Sequence, residues 1–179
     1  MQILEEILAR YSVRSYESRP VPPQALRRVL DAARHAPSAR NVQEWRFVVV
    51  TDAATRRALV PAAAMQEFVG QAPVVVAGCG TNTDYVMRCG QPAYAIDLAI
   101  AMEHIALQAV REGLGTCWIG AFHEDQVKEV LGILDDVRVV QLMTLGYPAD
   151  ELRTHNRVPL EEVVYAERWG RRDPLPGNA

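Results

Sequence analysis

The sequence predicts an α+β fold in which a small central mixed sheet is flanked by helices, with one long helix at its centre. Three observations predict it. Two continuous apolar runs, "FVVV" (Phe47–Val50) and "APVVVAG" (Ala72–Gly78), read as buried strands. Several other stretches carry apolar residues at helical spacing. One of these, from Ala93 to about Glu112, is apolar on most sides, as suits a helix running through a core or a subunit interface.

In chain order, Ile3, Leu4, Ile7 and Leu8 form a one-sided apolar stripe over Gln2–Arg10, a first helix. "SRPVPPQ" interrupts it, and Pro23 suits a helix start. Leu26, Val29, Leu30 and Ala33 mark a second amphipathic helix that ends before Pro37. After the strand at Phe47–Val50, Asp52 is placed to cap a short helix through "ATRRALV". The strand in "APVVVAG" and the long helix follow, with Gly113 closing the helix at the C′ position. "TCWIG", "EDQVKEVLGIL" and "RVVQLMTLG" read as strand, helix and strand. From Pro148 the tail is polar and proline-punctuated, with apolar anchors at Leu160, Val163, Val164 and Trp169. Such a tail (148–179) is expected to cross a neighbouring subunit, since little of it would form a core alone. There is no repeat and no low-complexity linker. Residues 1–179 therefore read as one domain, long enough to bury about 70 % of its unfolded surface.

Composition narrows the function. Nineteen Lys and Arg against twenty-two Asp and Glu leave a formal charge of −3, and no basic run appears. That argues against a nucleic-acid or anionic-membrane surface. Two glutamates inside the opening "MQILEEILAR" argue against a secretory leader, and no apolar run is expected to reach the ~18 residues of a membrane span. Cys79, Cys89 and Cys117 are odd in number and irregular in spacing, which fits neither a disulfide framework nor a metal site and makes a reducing cytoplasm the default location.

Common catalytic motifs are missing. There is no GxxxxGK[ST], HExxH or GxSxG, and "GCGTNT" has Thr83 where a dinucleotide fingerprint needs its third glycine. The four histidines are scattered, and His104 has no second ligand at i+4.

Two stretches carry more. In "ARYSVRSY", Arg10, Ser12 and Arg14 stand at every second position. If the chain runs extended there, these three share one face, while Tyr11 and Val13 face the other way. Two guanidiniums and a hydroxyl suit a phosphate dianion. Spacing alone serves equally well for surface arginines that answer Glu5, Glu6 and Glu17. In "APSARNVQEWRF", Pro37 stops a helix, and Ser38, Asn41 and Gln43 crowd donors and acceptors into a tight turn before a strand. Such a turn reads either as a surface for a flat heteroaromatic edge or as ordinary self-satisfied turn chemistry.

Taken together, "RYSVRSY", "APSARNVQEW", "GLGTCWIGAF", "LGYP" and "NRVPLEEVV" stand in the order and spacing of the nitroreductase family of FMN-dependent oxidoreductases. The chain resembles that family from Ile3 to about Trp169. The resemblance implies a nitroreductase-like fold in an intertwined homodimer, with two FMN molecules at the interface, each contacted by both chains. By that resemblance, Arg10, Ser12 and Arg14 match the phosphate- and ribityl-binding segment. Pro37, Ser38, Ala39 and Asn41 match the turn that the other subunit lays against the flavin. Ile119 and Gly120 match the segment whose backbone runs beside the ring, Gln66 stands where an amide is offered to it, and Arg157 matches a late basic residue that returns to the phosphate. The chain departs from the family at Glu44, where proline is common, and Trp45 reads as core.

The implied reaction is ping-pong. NADH or NADPH gives a hydride to flavin N5, which passes to an electron-poor small molecule such as a nitroaromatic or quinone. The protein then supplies binding and orientation, and no side chain is needed as a nucleophile or base. Three alternatives stay open: a specialised member acting on one metabolite, a flavin-binding sensor or carrier without turnover, and a helical dimer serving as a scaffold. Tyr85, Met87 and Arg88, in the short segment from Cys79 to Gln91, would face substrate if that segment covers the flavin. Cys117 reads as a small buried apolar residue.

Overall fold

The computed structural model describes residues 3–150 and 156–172. Alternation along β2 (Val74–Gly80) organises the core. Val74 and Val76 point to one side of the sheet, Val75, Ala77 and Cys79 to the other, and both sides are buried. A strand covered on both faces has no polar phase, which is why "APVVVAG" reads as an unbroken apolar run. On the first side lie α2 (Pro23–Arg34) and α5 (Ala93–Arg111), whose Val29, Leu98, Met102 and Ile105 fill the layer. On the second lie α3 (Ala53–Ala62) and α6 (Glu124–Leu131), contributing Leu59 and Val127. Asp52 caps α3 as its position predicts, its carboxylate accepting the Thr55 N–H at 2.8 Å.

The four strands are ordered β1 (Trp45–Val50), β2, β4 (Arg138–Gly146) and β3 (Gly115–Ile119), and every neighbouring pair is antiparallel. The expectation of a mixed sheet is corrected here. α5 carries the chain from β2 to β3, which run parallel to one another as a helical crossover allows, but β4 inserts between them and opposes both. The parallel element that does occur is a single bridge outside the strands, Ser12 with Thr116. The helix expected over Gln2–Arg10 is also shorter, with α1 covering Glu5–Ala9. Leu4, at its N-cap, has no side-chain oxygen to receive the free N–H groups.

α5 corrects a third expectation. At 19 residues it is long and apolar enough, by composition alone, to cross a membrane. Here its inner face is core, and that face carries a buried Asp97. Its outer face is also apolar, with Ile96 41 % exposed and Ile100, Leu107 and Val110 partly covered. α4 (Phe68–Gln71) and α7 (Leu160–Val163) are single turns. The tail anchors Leu160, Val163 and Trp169 lie exposed on this chain.

After α1 the chain runs extended and docks on the outer edge of β3, Val13 N donating to Thr116 O at 2.9 Å. Tyr11, Val13 and Tyr16 are buried in a small cluster with Ala72. The Tyr16 hydroxyl donates to Val13 O at 2.9 Å and meets Thr144 Oγ1 at 2.7 Å, and its burial pushes its pKa up. The close approach depends on Gly115, where a Cβ would overlap Val13 Cγ2 and come within 2.9 Å of Pro148 Cγ. Replacing Gly115 by alanine should lower unfolding free energy by about 1–3 kcal/mol through overpacking, measurable by urea denaturation; an unchanged midpoint would mean that the segment is not seated this tightly.

Candidate functional site

Alternation settles which side chains the docked segment displays. With Tyr11 and Val13 turned inward, Arg10, Ser12 and Arg14 lie on the opposite side. All three act on the buried Cys117 thiol of β3, whose pKa they pull down against its burial. Arg14 Nη1 also donates to Ser12 O at 3.4 Å. The glutamates nearby in sequence do not claim these cations. Arg10 Nε instead lies 3.5 Å from Glu103 of α5, while Glu6 pairs with Arg111.

The same strand edge leads to the other candidates. β3 is at the margin of the sheet, and past Thr116 no further strand pairs with its outer edge among the described residues. Ile119 is buried, whereas Gly120 is exposed, with no protein atom within 4 Å of the place a Cβ would occupy. Gln66 is brought here, its amide donating to Ala121 O at 3.1 Å and to Ala63 O at 2.9 Å. A cationic end and an amide-lined open end thus share one strip of backbone.

The Ser38–Gln43 turn is strained and firmly held. Arg40, Asn41 and Gln43 all have φ near +57°, and none is glycine. Each such residue costs on the order of 1 kcal/mol and persists only where its surroundings impose it. Those surroundings are visible. Ala39 N donates to Asp97 at 2.9 Å, Gln43 N donates to Ser38 Oγ at 3.0 Å, and the Gln43 amide reaches Asn41 Oδ1 at 3.2 Å. The Arg40 guanidinium lies 5.4 Å from the centre of the Tyr85 ring. Pro37, just before the turn, is exposed. A second strained pair, Ala64 and Met65, immediately precedes Gln66. Five of the six non-glycine residues with positive φ among the described residues therefore sit in the two turns that carry candidate groups, which is where stored strain tends to mark function.

A family model describing the nitroreductase family matches residues 7–67 and 63–147. The chain belongs to the nitroreductase family. It is 35 % identical to an NADH dehydrogenase of Thermus thermophilus over 88 % of this chain and 92 % of that one. A crystal structure of a nitroreductase family protein from Clostridium novyi NT is similar with a TM-score of 0.79 at 34 % identity, covering 96 % and 97 % of the two chains. NADPH:FMN oxidoreductase from Vibrio harveyi, solved with NAD+, gives a TM-score of 0.84 at 27 % identity, covering 94 % of this chain and 78 % of the other.

Within one chain of this nitroreductase family member, the candidates form two groups that do not meet. The turn hangs on Asp97 and Arg10 on Glu103, six residues apart, which is about 9 Å along α5 and on different sides of it. Arg157 joins neither group; it is exposed, and its Nη1 reaches Asn156 O at 3.4 Å. Trp45 is core, as read from sequence. No cluster of three metal-ligating side chains occurs among the described residues. The sequence reading missed Asp97, although a lone carboxylate on the inner face of an apolar helix was a visible signal.

Burial pushes the Cys117 thiol up, against the pull of the arginines, and pushes Cys79 up to about 11. Cys89 is exposed. A thiol reagent at neutral pH should label one cysteine per native chain, and three only after unfolding; rapid native labelling at Cys117 would contradict its burial.

Proposed function

We propose that this protein is an NAD(P)H-dependent FMN oxidoreductase whose flavin sites are completed by a second copy of the chain. The observation that carries the reading is the convergence of Arg10, Ser12 and Arg14 at one end of the β3 edge. Two guanidiniums and a hydroxyl supply many donors for a phosphate dianion, and Glu103, the acid paired with them among the described residues, is a loose partner for Arg10. The open backbone at Gly120 and the amide of Gln66 suit the flat edge of a ring. Bound FMN would supply the hydride chemistry, accepting from NADH or NADPH and giving to an electron-poor acceptor such as a nitroaromatic or quinone.

The chain's own residues bind and orient. Arg10 and Arg14 hold the phosphate, Ser12 a neighbouring oxygen, and Ile119 and Gly120 present backbone beside the ring. Pro37, Ser38, Ala39 and Asn41 serve the flavin of the partner, and Arg157 returns to the phosphate from the tail. The relatives support the cofactor and the donor: the Vibrio harveyi protein is named for FMN and NADPH, and a Bacillus subtilis relative is named an NAD(P)H-dependent FMN reductase.

Pairing of two copies rests on surface chemistry. Ile3, Leu4, Ile7 and Leu8 are 49–65 % exposed, and Trp169 in the tail is 90 % exposed. A groove of about 340 Å³ runs past Leu4, Ala32 and Leu107, where α1, α2 and α5 meet. Apolar surface of this kind marks an interface, and we assign it to a homodimer whose partner is crossed by the tail from 148 to 179, of which 151–155 and 173–179 lie outside the described residues. Three free cysteines accord with a reducing, cytoplasmic setting.

The purified protein should take up FMN and, so loaded, oxidise NADH or NADPH steadily when a quinone is supplied. Flavin uptake without turnover would reduce it to a binding module, and no uptake would defeat the reading. Arg14→Ala should weaken FMN by about 2 kcal/mol, roughly a thirtyfold rise in Kd, through loss of a charge-assisted contact. Fluorescence titration checks it, and unchanged affinity would remove Arg14 from the site.

A further inference from the structure

Glu44 stands where a proline is common in the family, and the structure gives that carboxyl an unusual place. It is 95 % buried (5 % exposed), and Asp97 on the inner face of α5 is 4 % exposed. The Asp97 carboxyl acts on that of Glu44 at short range and raises its pKa. Glu44 Oε1 receives no N–H or O–H donor from the rest of the described protein. Asp97 meanwhile accepts the Ala39 N–H that anchors the strained turn. Two buried acids close together repel when both are ionised, and a proton shared between them relieves that repulsion.

We propose that one proton held between Glu44 and Asp97 positions the Ser38–Gln43 turn, making Glu44 a positioning residue for the flavin face which that turn serves. The chain of contact is short. Asp97 holds Ala39, Glu44 holds Asp97, and the Glu44 carbonyl is itself fixed by the N–H and hydroxyl of Thr81 at 3.1 and 2.8 Å. The charges that reach the Glu44 carboxyl come from Asp97 on α5 and Arg46 on β1. Arg46 does not neutralise the pair, for its Nη1 donates to the carbonyls of Gln43 and Trp45. From α5, Tyr94 packs on Gly80, which pairs with Trp45 beside Glu44, and the residue that follows Gly80 is the uncharged Thr81.

Burial first, and then Asp97, raise the Glu44 pKa from its ordinary 4.5, against the pull of its own backbone amide and Arg46. A raised carboxyl stabilises the fold fully below its unfolded value and loses that contribution as pH climbs through the folded value. The turn should therefore loosen toward alkaline pH. Glu44→Gln replaces the proton with a permanent N–H donor to Asp97. Asp97→Asn supplies an N–H donor to ionised Glu44 while its oxygen still accepts from Ala39. Both variants should be insensitive to the loss of the shared proton.

This inference rests on the flavin reading above, and the test separates the two. FMN affinity and the thermal midpoint of flavin-free protein are measured from pH 5.5 to 8.5 for the parent, E44Q and D97N. The phosphate of free FMN titrates in the same range, but it does so equally for all three, so ratios cancel it. The parent-to-E44Q ratio of Kd should rise with pH, approaching about tenfold per unit once the proton is lost, and the parent's midpoint should fall relative to both variants. A midpoint difference that stays flat with pH overturns the shared proton. A growing midpoint difference with a flat Kd ratio overturns the positioning role. If the parent binds no FMN at any pH, the cofactor reading and the positioning role both fall, while the midpoints still decide whether the proton exists. Should E44Q not fold, D97N carries the same comparison.

Discussion

One extended segment, pinned by every second side chain, sets the arrangement of the whole site. Burial of Tyr11, Val13 and Tyr16 fixes the segment against β3, and the period of two then leaves Arg10, Ser12 and Arg14 no choice of direction. The cations are thus displayed by the hydrophobic effect acting on their neighbours. Polar residues alone would not hold an extended chain at the margin of a sheet; the tyrosines and Val13 do, and Gly115 makes room for them.

α5 is the second frame. Its inner face closes the core, while Asp97 and Glu103 fix the two groups of candidate residues at different heights and directions. A single chain therefore holds a cationic half and a strained-turn half that point apart. The apolar outer face of the same helix, continuous with the exposed side of α1, offers the surface on which a second copy would bring opposite halves together.

Most elements were legible in the sequence because their signals are local. Asp52 announces its helix, Pro23 opens another, and the alternation in "RYSV" reads correctly even without a sheet to lean on. What was not legible depends on long-range pairing or on missing chemistry. Nothing in "RVVQLMTLG" says that β4 slips between β2 and β3, so the sheet expected to be mixed is antiparallel. The left-handed residues of the turn gave no warning, since Arg40 and Gln43 are not the types that adopt that conformation readily. "GCG" resembles half a nucleotide fingerprint, yet Gly78 and Gly80 simply face Leu98 and Tyr94 of the packed helix. Arg157 was read from family resemblance, and within one chain it meets neither Arg10 nor Arg14.

The run of positive φ angles at Arg40, Asn41 and Gln43 has a bearing on how the protein can change. Glycine would relieve the backbone at any of these positions, but it would also release the unfolded chain and the fixed shape of the loop. The net stability change at each position is therefore the difference between relieved native strain and a freer unfolded chain, while the shape of the loop is loosened in either case.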